Sequence, residues 1–467
     1  MSKTALIWLA IYFGGVVLTL VRHPIYGLLT YLFEYFNHPA SYWWGADLPD
    51  LRWSLFAALV TLVSLIIRWD QFKPIKAPPF KWFVAFVLWA LVVTYTVAIS
   101  VEASQSKLVI LIKLAILYFL IVKIVQSERE YRMFVWAIIL GCWLFSWRAY
   151  LDPRLEGGKL ESVGGTDTIG SNGLPVLLLI SLSFIGLYVF TGKRWERILS
   201  VIVAPFILNT FILCNSRGAF VGLLALVAAA ALPGLRILKL KAILVLLLGG
   251  ILLVQLMDQR FIDRMLDLKN PSVIAVEDGS AGGRITSWKG GWKLMRDYPL
   301  GAGGKGYRLL SPIYIPEIVE ASGGVLRAPH NTYIKIGSHW GFPGLFLWLF
   351  FVGSTFWGLH RFRKSQYSSD RYAIEGLAIK AALIGFLVAS LFIDRLYSEG
   401  LYWLCAMGAS LWNVSGSIDP RTAKPDQSRH RVTEAIIGWR IKHQIRKAEK
   451  LSKKTGQIGI LNRPRNE

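Results

Sequence analysis

Twelve apolar runs of helical length decide what this 467-residue chain can fold into. They lie near 5–21, 52–67, 82–100, 108–125, 132–147, 174–191, 198–214, 219–234, 241–257, 332–358, 374–393 and 400–414. About 20 apolar residues in an α-helix cross the hydrocarbon core of a bilayer. Because 54% of the residues are hydrophobic and only 17% are charged, a soluble domain of this length could not bury them. The sequence therefore predicts an all-α, polytopic membrane helical bundle.

A thirteenth apolar segment, near 25–43, is interrupted by Glu34, Asn37, His38 and Pro39. It fits a short span, a re-entrant segment or an interfacial helix, and these alternatives stay open. The predicted bundle accordingly has twelve or thirteen transmembrane helices.

The net charge of +23 sets the predicted orientation, because basic loops stay in the cytoplasm. Basic clusters alternate with less basic connections at 68–81, 123–132, 193–197, 236–241 and 361–364. Placing these clusters in the cytoplasm satisfies the positive-inside rule at every span from residue 52 onward. The positive net charge is thereby explained without nucleic-acid binding. The opposite side then holds the connections 151–172, 215–218, 258–330 and 394–399. The first 45 residues stay ambiguous, because Arg22-His23-Pro24 would also prefer the cytoplasm.

Four segments follow from this pattern: N-terminal helices (1–257), a large outer loop (258–330), C-terminal helices (331–415) and a basic tail (416–467). The tail has 13 Lys and Arg against 5 Asp and Glu. It is expected in the cytoplasm, either as an amphipathic helix on the inner leaflet or as a solvated tail. The loop is nearly balanced in charge, with 10 basic and 8 acidic residues, so it is not a simple cationic patch.

The large loop carries two features suited to anions. The pattern predicts helices near 259–268 and 284–297, and Arg284 falls in the first turn of the second one. Helix N-terminal amides beside a guanidinium suit a phosphate, although a solvated arginine is the alternative. The glycine-rich stretch 301–307 could present backbone N–H groups to an anion or form a tight turn. No strand precedes it, so it is not a dinucleotide fingerprint.

Arg217 and His330 stand at predicted membrane boundaries on the same side as this loop. An arginine inside a membrane helix costs roughly 2.5–3.5 kcal/mol, and Arg217 lies between two apolar runs. Among the seven histidines, His330 is placed beside the long polar loop at the outer boundary. It fits either a proton acceptor or a capping residue.

Taken together and in order, four motifs resemble the O-antigen ligase and polymerase superfamily of bacterial polytopic glycosyltransferases. They are Asn215-Ser216-Arg217-Gly218-Ala219, Gly283-Arg284-Ile285-Thr286-Ser287-Trp288, the stretch 297–307 and His330-Asn331-Thr332-Tyr333. The segments 23–28 and 37–39 look like the ligase-type branch. The glycine-rich stretch is fuller than the family pattern, so the resemblance supports no role for Lys305.

The resemblance implies a glycan donor on undecaprenyl diphosphate and a site at the periplasmic face of the inner membrane. It implies that Arg217 and Arg284 bind the diphosphate and that His330 is the general base. The acceptor would be a glycan, lipid A-core or similar, and the reaction an inverting transfer without metal or other cofactor. Beyond substrates, the expected partners are membrane lipids.

Other activities remain open. A polymerase that extends lipid-linked repeat units and a protein O-oligosaccharyltransferase would use the same donor site. A lipid-linked oligosaccharide flippase is the alternative from another class. The chain shows no convincing internal repeat, and Lys113 and Lys380 are the notable charges within apolar runs. These features favour an enzyme over a transporter.

Overall fold

The computed structural model describes residues 1–75, 79–153, 155–156, 158–238, 250, 251, 255, 281–364 and 370–415. In this part of the chain the helices, in order, are α1 (Lys3–Val21), α2 (Ile25–Phe36), α3 (Trp53–Ile67), α4 (Pro79–Thr96), α5 (Val101–Ile124), α6 (Glu128–Leu151), α7 (Leu174–Thr191), α8 (Arg194–Leu213), α9 (Arg217–Leu238), α10 (Ala281–Asp297), α11 (Gly306–Tyr314), α12 (Pro316–Ala321), α13 (Thr332–Lys364), α14 (Asp370–Ala389) and α15 (Glu399–Ser415). A small antiparallel ribbon joins β1 (Leu155–Glu156) to β2 (Lys159–Leu160).

The predicted apolar runs match these helices, apart from 241–257. In the described residues, seven helices are long and apolar enough to cross a membrane, and Trp53–Ile67 and Arg217–Ala231 are shorter apolar helices. The chain is therefore an all-α polytopic membrane protein. The predicted loop helix 259–268, the tail 416–467 and all but three residues of run 241–257 lie outside the described residues.

Aromatic side chains hold the middle of the bundle together. The Phe83 ring of α4 stacks on Phe351 of α13 at 4.7 Å and on Tyr402 of α15 at 4.9 Å between ring centroids. All three side chains are almost completely buried. Such contacts fix helix positions by packing and dispersion, since apolar side chains gain little by leaving lipid for a protein interior.

The N-terminal hairpin, ambiguous from the sequence, has a defined direction. His23 Nε2 lies 3.4 Å from Glu130 Oε1, beside the start of α6. The turn before α2 therefore lies at the same end as the basic cluster 123–132. Helix α2 has 12 residues and leads to two short 3₁₀ helices, Pro39–Ser41 and Trp43–Asp47. The segment 25–43 is thus one short helix followed by irregular turns.

Connections predicted to share one side contact one another at the other end of the bundle. Ser216 Oγ lies 3.4 Å from Asn172 Oδ1. The Arg395 guanidinium donates a 3.0 Å hydrogen bond to the carbonyl oxygen of Asp167. The start of α9 and the connection after α14 therefore both meet the connection before α7.

Helix α13 is broken, which corrects the prediction of one continuous helix over 332–358. Gly341 has φ 68° and ψ −174°, so the helix stops and restarts there. A Cβ at this position would lie 2.3 Å from the carbonyl carbon of Leu300, and Phe342 N–H donates to Pro299 O over 2.9 Å. The break makes room for the chain that follows α10.

Candidate functional site

The connection between α14 and α15, residues 390–398, is called the 390–398 loop here. It links α14 to α15 at the end of the bundle that holds the sequence motifs. Each motif segment that carries Arg217, Arg284 or His330 contacts this loop directly or through an immediate neighbour.

The Arg217 segment touches the loop through its glycine. Arg217 is partly buried and is the first residue of α9. At the next residue, Gly218, a Cβ would lie 2.6 Å from Phe392 Cβ. A side chain at this position would therefore push the helix start away from the loop. Asn215 precedes the helix with φ 48°, a left-handed conformation that asparagine tolerates better than most residues.

Arg284 lies in the first turn of α10. This helix begins at Ala281, whereas the sequence predicted a start near residue 284. The Trp288 ring packs against Phe392 with 6.1 Å between centroids. Residues four apart in a helix project from the same face. The face of α10 that carries Arg284 is therefore the face that meets the loop.

His330 immediately precedes the cap of α13. Asn331 Oδ1 accepts the N–H groups of Tyr333 and Ile334 at 2.9 and 3.1 Å, so Asn331 caps the helix. His330 is partly buried and has φ 46°. The histidine therefore takes a left-handed backbone conformation where the chain turns into α13.

Thr332 fixes this helix start to the loop. Its N–H donates to Ser390 O at 2.9 Å. Its hydroxyl donates to Ile393 O at 2.9 Å and accepts the backbone N–H of Arg395 at 2.8 Å. Three hydrogen bonds thus hold the segment that follows His330 against the 390–398 loop.

Backbone strain is concentrated in the motifs. Among the described residues, four that are not glycine have positive φ: Ser162, Asn215, Lys305 and His330. Three of them lie in the motif segments. Such conformations cost about 1–3 kcal/mol each and persist where the surroundings hold them. They are a common feature of functional sites.

The loop is itself anchored by a network that sequence reasoning missed. Asp167 Oδ2 accepts the backbone N–H of Glu399 at 2.7 Å, and the Asp167 Oδ1 atom accepts the hydroxyl of Tyr35. Tyr31 donates to Glu399 Oε1 at 2.6 Å. Desolvation, followed by the carboxylate of Asp167, raises the pKa of Glu399 to about 8. This carboxyl therefore carries a proton for much of its time near neutral pH.

The glycine-rich stretch is a tight turn, the structural alternative considered from the sequence. The amides of Ala302, Gly303 and Gly304 donate to Ser338 O, His339 O and Ser104 Oγ at 3.0, 2.9 and 2.9 Å. These N–H groups are used within the protein and do not form a nest for an anion. Their role is to seat the turn between the α4–α5 connection and the break in α13.

Metal ligands do not cluster in the part of the chain that the structure describes. No group of three or more His, Cys, Asp or Glu side chains there could hold a metal ion.

The comparison with known families matches this region. Residues 201–349 match the sequence model of the family described as O-antigen ligase. The match spans α8, α9, α10 and the glycine-rich turn, and extends into α13. No curated protein matches the chain. The matched segment includes Arg217, Arg284 and His330, so the motifs and the family domain coincide. This polytopic membrane protein therefore carries, over residues 201–349, a segment that is similar to the O-antigen ligase family.

Proposed function

We propose that the protein transfers a glycan from undecaprenyl diphosphate to a hydroxyl of an acceptor glycan at the periplasmic face of the bacterial inner membrane. The acceptor is lipid A-core or a similar surface saccharide. The observation that carries the proposal is the contact of three motif segments, through Gly218, Trp288 and Thr332, with one loop. The orientation follows the positive-inside rule and leaves the C-terminus in the cytoplasm.

The chemistry needs charge stabilisation and a base. The acceptor oxygen attacks the anomeric carbon, the bond from that carbon to the diphosphate oxygen breaks, and the electron pair leaves with the phosphate. Arg217 and Arg284 bind the diphosphate through bidentate hydrogen bonds and stabilise the charge that develops there. His330 accepts the proton of the acceptor hydroxyl. Attack from the face opposite the leaving group inverts the anomeric configuration.

General base catalysis of this kind contributes about 10²–10⁴-fold to a rate. The diphosphate is already a good leaving group, so the proposed reaction requires neither a nucleotide nor a metal. Undiminished transfer in the presence of a chelator would support this point. A strict requirement for Mg²⁺ would contradict it.

The test uses purified protein in liposomes, supplied with lipid-linked donor and a core saccharide. Arg217→Ala, Arg284→Ala and His330→Ala are each expected to lose transfer while keeping wild-type abundance. The matched control is Arg296→Ala, an exposed arginine on the same helix as Arg284. If His330→Ala transfers glycan at the wild-type rate, His330 is not the general base.

Products distinguish the related activities. In a deletion strain, loss of a ligase leaves long polymer on undecaprenyl diphosphate, whereas loss of a polymerase leaves single repeat units. Glycan attached to protein Ser or Thr would indicate an oligosaccharyltransferase. Inversion of the donor across the liposome membrane without product would indicate a flippase. The likeness of 23–28 and 37–39 to the ligase-type branch favours the first activity.

A further inference from the structure

A group of cations lies against Asp394 and Tyr397 of the 390–398 loop. The ammonium groups of Lys107 and Lys335 lie 5.0 and 5.2 Å from the ring centroid of Tyr397. Lys335 also forms an ion pair with Asp394. The two lysines come from α5 and α13, so the fold brings them together from distant parts of the chain.

The glycine-rich turn adds further positive charge. A Cβ at Gly304 would lie 2.7 Å from Lys107 Cβ, so the turn passes directly beside this lysine. Lys305 follows with φ 67°, and Arg308 lies less than one helical turn further on. The positive charges of Lys335, Lys305 and Arg308 all act on the Lys107 ammonium.

The charges in this cluster do not balance. Three cations (Lys335, Lys305 and Arg308) and one carboxylate, that of Asp394, act on the Lys107 ammonium, and Asp394 is paired with Lys335. Four positive charges and one negative charge leave a net charge of +3. Lys107, Lys305 and Lys335 are partly buried, so water screens their repulsion incompletely. A bound anion would relieve this repulsion, and a multiply charged anion would do so best.

We propose that Lys107, Lys305, Arg308 and Lys335 form a cradle, called the lysine cradle, for a phosphoryl group of a substrate. Lys335 is in the first turn of α13, so the cradle lies next to the helix start that carries His330. The identity of the substrate rests on the proposed function, whereas the anion site rests on the cluster itself. The phosphoryl group belongs either to the donor diphosphate or to a phosphorylated acceptor saccharide.

The first test measures binding of inorganic diphosphate to the full chain in nanodiscs. The double variant Lys107→Gln/Lys305→Asn removes two charges and leaves the Lys335–Asp394 ion pair intact, and asparagine tolerates the left-handed backbone at 305. Its dissociation constant should rise about tenfold or more, as expected for losing charge-assisted hydrogen bonds. The control Lys289→Gln/Arg296→Gln removes the same charge from exposed positions of α10.

A change of less than about twofold, or an equal change in the control, would overturn the cradle. Arg308→Gln alters an exposed side chain and gives a second measurement should the double variant not fold. It is expected to weaken diphosphate binding in the same direction by a smaller factor. Unchanged binding by a folded Arg308→Gln would remove this arginine from the cradle.

Steady-state kinetics identify the source of the phosphoryl group. A raised KM for the lipid-linked donor assigns it to the donor diphosphate, and a raised KM for a phosphorylated core saccharide assigns it to the acceptor. No change in either KM overturns a substrate role. Failure of the proposed function is a different result from failure of the lysine cradle. It is shown by normal glycan transfer in all three of the variants Arg217→Ala, Arg284→Ala and His330→Ala. Binding of inorganic diphosphate by the lysine cradle would remain measurable in that case.

Discussion

The indole ring of Trp288 packs against the phenyl ring of Phe392, with 6.1 Å between their centroids. The Cβ atom of the same residue lies 2.6 Å from a Cβ built at Gly218, and its ring begins 3.4 Å from that built atom. Phe392 is therefore shared by the two segments that carry Arg217 and Arg284.

Replacing Phe392 by alanine should reduce glycan transfer by at least about tenfold, because Trp288, in the segment that carries Arg284, loses its aromatic partner. The variant should lose less thermal stability than a variant of a fully buried phenylalanine, because the Phe392 side chain is already partly exposed to solvent. Initial transfer rates and the Tm in detergent measure the two effects. Leu391→Ala, at a neighbouring position that is 40% exposed, is the control. Equal transfer by the two variants would contradict a positioning role for the Phe392 ring.

Thr332→Val tests the hydrogen bonds that hold the His330 segment to the loop. Valine keeps the shape but leaves the Ile393 carbonyl and the Arg395 N–H without the hydroxyl. Each unsatisfied buried group costs about 1–3 kcal/mol. Transfer and Tm should both fall in Thr332→Val, whereas Thr332→Ser keeps the hydroxyl and should recover most of both. A serine variant as defective as the valine variant would show that the methyl group matters more.

The arginine assignments predict that lysine is a poor replacement. Lysine keeps the positive charge but cannot donate two parallel hydrogen bonds to a phosphate. Arg217→Lys and Arg284→Lys should therefore each slow transfer by about 10- to 100-fold, in line with a lost charge-assisted hydrogen bond. Rates at saturating acceptor, with the donor concentration varied, give the measurement. Arg296→Lys on the exposed face of α10 should transfer normally.

The helices were predictable because their apolar runs are long and their ends carry local signals. Ser127 and Glu130 form a capping box at the start of α6, and Pro299 follows the end of α10. The structure of segment 25–43 was harder to predict, because the charge of Glu34 suggests a helix boundary whereas its side chain is almost completely buried. It accepts a 2.6 Å hydrogen bond from Ser54, a partner that no local pattern reveals.

The 390–398 loop was recognised from the sequence only as a short connection on the outer side. Its importance comes from contacts between residues far apart in the chain, such as Arg395 with Asp167, which are 228 positions apart. The available signal was two adjacent charges, Asp394 and Arg395, between two apolar runs. The break at Gly341 was missed for a similar reason, because the chain at Leu300 that occupies it is not adjacent in sequence.

Gly301→Ala should destabilise the protein. Gly301 has φ 105°, which an alanine adopts only with strain, and its Cβ would lie 2.6 Å from His339 O. Both effects push the turn out of the break in α13, so Tm and transfer are expected to fall together. Gly353→Ala is the matched control, because this helical glycine has open space around it. Alanine there should be neutral or raise stability by up to about 1 kcal/mol.

Glu399 should make the stability of the protein depend on pH. It is the first residue of α15 and lies outside the apolar run 400–414. Its folded pKa, about 8, is above the ordinary value for a glutamate, so the protonated form favours the folded state. The contribution is fully present below about pH 4.5 and is lost as the pH rises through about 8. The Tm in detergent should therefore decline across this range.

The variant Glu399→Gln cannot ionise, and its amide oxygen can still accept the hydrogen bond of Tyr31. Its Tm should change less with pH than that of the wild type, and its transfer activity should hold better above pH 8 because the loop anchored by Asp167 stays in place. Glu317→Gln, at an exposed position, should keep the wild-type pH profile. A Glu399→Gln profile parallel to that of the wild type would show that another group governs the alkaline loss.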